Sequence, residues 1–278
     1  MMGKWRNLRA SVLILPVLTL AAGSGHAATQ KAAAAPAGES AVDPQAKSAL
    51  TRMSEYLKSL PFFAVHEEIT REQVINSDLK VQKSSSADVV LRNPDRFNAA
   101  VIGDDDKNHT IFFDGKLLTV YMPVRKYYAQ MDAPGTIGAA LETAESRYGV
   151  DFPAPDFLRA AAGENFGQNL TAAGEVGTSR VGNADCEHYA YRTADVDYQL
   201  WIETGEKPLP RKLVITSKKE PTQPEYTTVF TWDLSPKLDE ASFAFTPPEG
   251  VTKIPFGSLP SVAAKKRASQ PQKHPQTK

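Results

Sequence analysis

A single cysteine, Cys186, stands in the 278 residues of this chain, so no internal disulfide is possible. Its place deep in the sequence also excludes a lipid-modified cysteine at a leader cleavage point. Lys and Arg number 32 and Asp and Glu number 32, a balance that leaves no positive excess to track a phosphate backbone and predicts no nucleic-acid partner. Gly-rich phosphate loops and nucleophile elbows are missing. Histidine is scarce: His26 falls in the leader and His274 near the C-terminus, leaving His66, His109 and His188. His66-Glu67-Glu68 begins like a zinc-protease helix motif, yet the residue that should be the second ligand is Thr70 and the segment has strand character. Asp104-Asp105-Asp106 lacks the glycine and closing glutamate of a calcium loop and reads as a solvated turn. Cys186 and His188 share a strand face at i and i+2, but zinc needs another protein ligand and the sequence offers none, so a packed, reduced thiol is expected. No catalytic residue, metal site or cofactor is predicted.

What is present begins with a secretory leader. Lys4, Arg6 and Arg9 precede an apolar run from Ala10 to Ala22, and Gly25-His26-Ala27 sets small residues for cleavage after Ala27. The run falls short of the roughly 20 apolar residues of a membrane span, which predicts a soluble mature protein in an oxidising envelope compartment. Residues 28–44, with Ala32 to Ala35, Pro36 and Gly38, read as a disordered linker, and residues 45–256 as one domain. Residues 257–278 carry Lys265, Lys266, Arg267, Lys273 and Lys278 and no acid, a composition that predicts a disordered tail. Such a tail suits a solubilising end. It also suits peripheral contact with an anionic membrane, where each cation contributes about 1 kcal/mol.

Within the domain, Asp43 is placed to cap a helix running from Pro44 to Leu60, with Ala46, Leu50, Met53, Leu57 and Leu60 on one face. Short strands follow at Phe62 to Thr70, Leu79 to Lys83, Ala87 to Leu91, Arg96 to Ile102, Thr110 to Phe113, Leu117 to Met122 and Lys126 to Met131. Asp114-Gly115 predicts a tight hairpin. From Thr136 to Tyr148 the apolar residues Ile137, Ala140, Leu141, Ala144 and Tyr148 fall on one helix face, with Glu142 and Glu145 turned to water, and a short second helix is expected around Phe157 and Leu158. Strands resume at Arg180-Val181, which leads to a Gly182-Asn183 hairpin, and then at His188 to Arg192, Tyr198 to Glu203, Leu213 to Ser217 and Tyr226 to Trp232. The pattern predicts an α+β fold: a single large curved antiparallel sheet with helices on its concave side.

The hairpin, the Arg92-Asn93-Pro94 corner and the ending Phe243-Ala244-Phe245-Thr246-Pro247-Pro248 resemble the periplasmic lipoprotein-carrier superfamily of LolA-, LolB- and LppX-like proteins. Asp185-Cys186-Glu187-His188, Tyr198-Gln199-Leu200-Trp201-Ile202 and Pro208-Leu209-Pro210-Arg211-Lys212-Leu213 resemble one branch of it, the predicted periplasmic proteins of the DUF2092 family, over roughly residues 45 to 256. The resemblance implies an unclosed, LolA-like β-barrel holding acyl chains between sheet and helices, in the periplasm; the family brings no established activity. Where the carriers have an arginine before the corner proline that holds the lid closed, this chain has Asn93, so a different amphiphile or a sensor role is expected rather than lipoprotein handoff. With a cavity implied, its lining is expected at Phe97, Phe113, Val120, Met122, Tyr128, Ile137, Leu141, Tyr148, Phe157 and Trp201; without one, the same groups are plain core. The expected function is non-catalytic binding of a hydrophobic or acylated ligand, with inner- or outer-membrane proteins as further partners. The alternative is an envelope sensor or scaffold that binds a protein partner.

Overall fold

The protein is described by a computed structural model over residues 41–257, apart from 77, 105–107, 134, 151, 154 and 165. The expected leader, most of the linker, the tail from 258 onward, and Asp105 and Asp106 lie outside the described residues. The chain opens with α1 (Pro44–Ser59), whose N-cap Asp43 accepts a hydrogen bond from Gln45 N and whose buried stripe is Ala46, Ala49, Leu50, Met53 and Leu57. Before it, Val42 bridges to Ala173, so ordered pairing starts inside the segment expected as linker.

Six strands follow: β1 (Phe62–Ile75), β2 (Leu79–Arg92), β3 (Arg96–Gly103), β4 (His109–Phe113), β5 (Leu117–Met122) and β6 (Tyr127–Asp132). Then come α2 (Ile137–Tyr148), α3 (Pro155–Ala161), β7 (Ala172–Val181), β8 (Ala184–Arg192), β9 (Val196–Glu203), β10 (Pro210–Ser217), β11 (Glu225–Asp233), a 3₁₀ turn at Glu240–Ser242 and β12 (Thr252–Lys253). All twelve strands join one curved, unclosed sheet in the order β12-β6-β5-β4-β3-β2-β1-β11-β10-β9-β8-β7. Two antiparallel meanders are therefore spliced where β1 meets β11. The expected antiparallel sheet is corrected at one edge, where β12 pairs in parallel with β6.

Strand alternation sorts the two faces. Phe63, Val65 and Ile69 of β1 point to the same side as Val89 and Leu91 of β2, and one buried cluster unites them with α1, α2 and α3. The helices thus cover one face. The sheet has a corner end, at Asn93-Pro94, and a mouth end, at the β1–β2 hairpin tip and the β5–β6 turn. Asn93 Nδ2 donates to Leu60 O at the end of α1, and Ile137 N donates to Pro94 O, so the corner fixes both helices. Asn93 thus serves the C-terminal cap of α1. Towards the mouth, burial fades along β1 after Ile69 and is absent from the first residues of β2, so the strands outrun the helices there.

The stretch after β11 crosses the opposite face as a strap. Glu240 accepts from Arg92 and Arg96 at 2.6 Å each, Phe243 is fully buried, and Phe245 packs on Phe112, Tyr121 and Tyr128 with ring centroids 5.0 to 5.4 Å away. Past β12, Phe256 meets Tyr148 of α2 at 4.9 Å. In the β4–β5 hairpin only Gly115 takes positive φ, at 90°, and the Asp114 carboxylate accepts from the backbone N–H groups of Lys116 and Leu117. The turn therefore centres one residue later than the Asp114-Gly115 expectation, with Asp114 as its cap.

Candidate functional site

The expected lining separates into two faces. Phe97, Phe113, Ile137, Leu141 and Phe157 belong to the buried cluster under the helices, with Val120 and Tyr148 packed against it. Met122 shares their face by alternation with Leu118 and Val120. Tyr128 and Trp201 do not join them. Tyr128 pairs with Tyr121 and lies under Phe245 of the strap. Trp201 sits between the inward-facing Leu200 and Ile202 and therefore points outward, stacked on His188 at 3.9 Å with Lys212 Nζ 4.8 Å from its ring. Glu145, expected to face water, pairs instead with Arg159 of α3.

Open space lies beside this core, at the mouth. A cavity of about 270 Å³ is walled by Phe166, Val196, Tyr198, Leu213 and Ile215, with Arg159 and Glu164 on its rim. A smaller one of about 50 Å³ is lined by Ile69, Val101, Phe152 and Tyr226. Ile215 and Tyr226 are directly paired across β10 and β11, so a single ridge divides the two depressions. The strands supply apolar walls by alternation, and the turn after α3 supplies the roof. Gly167, at φ 74°, lets that turn pass close over α1: an added Cβ there would lie 2.4 Å from Leu50 Cδ1. Arg159 links α2 to the turn, through Glu145 on one side and Glu164 at 3.7 Å on the other. The one guanidinium on the rim is already paired with Glu145 and Glu164, which does not favour an anion at this point.

Among the described residues no group of three or more His, Cys, Asp or Glu is arranged to hold a metal ion. His66 lies between Glu68 and Asp88 at 3.0 and 2.7 Å, and these hydrogen bonds raise its pKa. Burial pushes the His188 pKa down, opposed by its hydrogen bond to Gln199. Cys186 does share an outer face with His188, but it is fully buried, and burial pushes its thiol pKa up. A Cys186→Ser variant is accordingly expected to keep its affinity for an apolar probe. In the native protein the thiol should resist dithionitrobenzoate until unfolding; rapid reaction under native conditions would show an accessible thiolate. One buried group was not singled out from the sequence: Glu67 of β1 faces the helices at 2 % exposure, and its Oε2 has no hydrogen-bond partner among the described residues. Burial pushes its pKa up to about 8.

The cavity walls on β9 and β10 were also missed. Their signal is the alternation Val196-x-Tyr198 and Leu213-x-Ile215, which marks inward faces without telling which strand ends the helices leave uncovered.

The profile of a family described as predicted periplasmic protein (DUF2092) matches residues 46–257, and the chain belongs to that family. A comparison with curated proteins gives no match. Among solved structures, the Mycobacterium tuberculosis lipoprotein LppX is similar at 16% identity and a TM-score of 0.45, over 71% of this chain and 100% of that one. An uncharacterised conserved protein from Thermus thermophilus is similar at 12% identity and a TM-score of 0.44, over 76% of this chain and 99% of that one. A LolA superfamily protein from Nitrosomonas europaea is similar at 13% identity and a TM-score of 0.32, over 72% of this chain and 97% of that one.

Proposed function

We propose that this member of the DUF2092 family is a periplasmic, non-catalytic binder of a hydrophobic or acylated ligand, delivered there by the leader that the sequence predicts. The observation that carries the reading is the apolar cavity at the mouth, bounded by Phe166, Val196, Tyr198, Leu213 and Ile215, where the sheet outruns its helices. Its volume of about 270 Å³ suits the end of a chain rather than a whole lipid. A longer tail would continue beneath α2, against Phe97, Phe113, Val120, Ile137, Leu141 and Phe157, once that helix moves aside.

Native mass spectrometry of protein purified without detergent tests the reading. A reproducible adduct of lipid mass is expected, together with binding of an apolar fluorescent probe; clean protein that also ignores the probe would sink it. Ile215→Trp is expected to fill the cavity and weaken probe binding about tenfold, with little change in melting temperature because the added ring enters open space. Undiminished probe affinity in this variant would move the site elsewhere.

A second reading, a scaffold for a protein partner, draws on the outer edge of β7. The sheet ends at this strand, and Val176 is 58% exposed there. A bulge between Glu175 and Gly177 interrupts that edge and limits what could pair with it. A co-purifying polypeptide without any lipid adduct would favour this second reading.

A further inference from the structure

We infer that the β5–β6 turn is a membrane-docking tip whose partner is an anionic phospholipid surface. The turn, Pro123-Val124-Arg125-Lys126, interleaves apolar and cationic side chains over a very short span: Val124 is 56% and Tyr127 43% exposed, with Arg125 and Lys126 exposed between them. Single exposed apolar residues are ordinary on any protein surface. Here two of them flank two cations that form no ion pair among the described residues.

The turn is rigidly held. Lys126 N donates to Pro123 O at 3.2 Å, Lys126 adopts φ 55°, and its carbonyl accepts from Thr252 N of the strap at 2.9 Å. Its backbone is therefore held in one conformation and loses little freedom on docking. A third cation, Lys253, stands on the neighbouring β12 beside Tyr128, while Glu249 is the acid of the same stretch of strap. The described chain ends at Gly257, four residues beyond Lys253, and the 21 residues after it carry five basic side chains and no acid. Apolar side chains beside cations supply two attractions at once, burial of apolar surface and attraction to anionic headgroups. The β5–β6 turn also lies at the mouth end, so docking would turn the cavity towards the bilayer. Docking through the turn does not require the cavity to hold a lipid.

Co-sedimentation of the purified protein with vesicles tests it, using phosphatidylglycerol and phosphatidylcholine in equal parts against phosphatidylcholine alone. Binding is expected to the anionic vesicles only, and to weaken as salt is raised. Arg125→Glu with Lys126→Glu, and separately Val124→Asp with Tyr127→Ser, are each expected to lower the partition about tenfold or more. Both pairs should leave the circular dichroism spectrum and the apolar-probe affinity unchanged, which separates a failure of docking from a failure of ligand binding. Ending the chain at Gly257 should weaken binding while keeping its dependence on the turn. Absence of vesicle binding, or binding indifferent to both pairs of substitutions, would overturn the proposal.

Discussion

Leu141→Glu is expected to detach α2 from the sheet while leaving the sheet folded. Leu141 is fully buried at the centre of α2's apolar face, and a carboxylate there must either lose its hydration or carry the helix out into water. Leu141→Ala, which leaves only a cavity, should cost about 2 to 5 kcal/mol and preserve two-state melting. The glutamate costs more than that, so the helix leaves. What remains is a twelve-stranded ladder whose pairing does not involve α2, with α1 and α3 still in place. The helix has three named ties besides its apolar stripe: Ile137 N to Pro94 O, Glu145 to Arg159, and Tyr148 against Phe256. Two measurements decide the matter: far-UV circular dichroism should retain the β spectrum, and limited proteolysis should open new sites between Ala133 and Val150. Affinity for an apolar probe should fall, since a chain admitted to the helix-side face can then no longer be enclosed by α2. Global unfolding of the variant would mean that α2 is integral to the core and cannot act as a lid.

Glu67 is expected to make the protein lose stability as pH rises. In the unfolded chain this carboxyl ionises near its ordinary value of 4.5, whereas in the folded protein burial holds the proton up to about 8. The stability linked to this group is therefore complete below the unfolded pKa. It is lost progressively as pH climbs from there through the folded pKa, and is flat beyond. At about 1.4 kcal/mol per pH unit the loss approaches 5 kcal/mol as an upper figure. Glu67→Gln keeps the shape and removes the proton equilibrium. Its melting temperature should match the wild type near the acid end of the window and exceed it at the alkaline end, by about 2 to 4 °C for each kcal/mol recovered. Thermal melts of both proteins across that window provide the check: parallel curves would show that the native carboxyl is already ionised and solvated.

Much of the architecture was readable from local chemistry. Asp43 before Pro44, the spacing of Leu50, Met53 and Leu57, and the stripe from Ile137 to Ala144 specify two helices and their inward faces. Gly182-Asn183 specifies the β7–β8 turn. What escaped was set by partners distant in sequence. β7 is rich in Ala and Gly and half exposed, and only pairing with β8 makes a strand of it. Ser84 to Ser86 looks like a break but continues β2, because Glu68 to Thr70 of β1 supply the ladder. β12 exists only through β6.

The misplaced site residues teach the same point at finer scale. Which face Tyr128 takes depends on the length of the β5–β6 turn, which pairs Val120 with Ala129 and so puts Tyr128 on the side of Tyr121. For Trp201 the signal was present, because Tyr198, Leu200 and Ile202 claim the inner face and leave Trp201 the outer. The mouth was hidden for another reason. It results from how far α1, α2 and α3 reach along strands of differing length, and no window of sequence encodes that.

The splice between β1 and β11 also dictates an order of assembly. The register joins Ala64 to Asp233 and Arg71 to Tyr226, so the first strand of the sheet waits for nearly the last. A chain released from its N-terminus can zip β1 to β6 into a meander early, but the far side of β1 stays an open edge until residue 233 is available. Throughout that interval Phe63, Val65 and Ile69 have their hydrogen-bonding rim exposed beside them, the condition under which unfinished sheets add to one another. Completion of the fold is thus a late, long-range event, and shortening the chain anywhere before β11 would leave a half-sheet prone to self-association rather than a smaller stable domain.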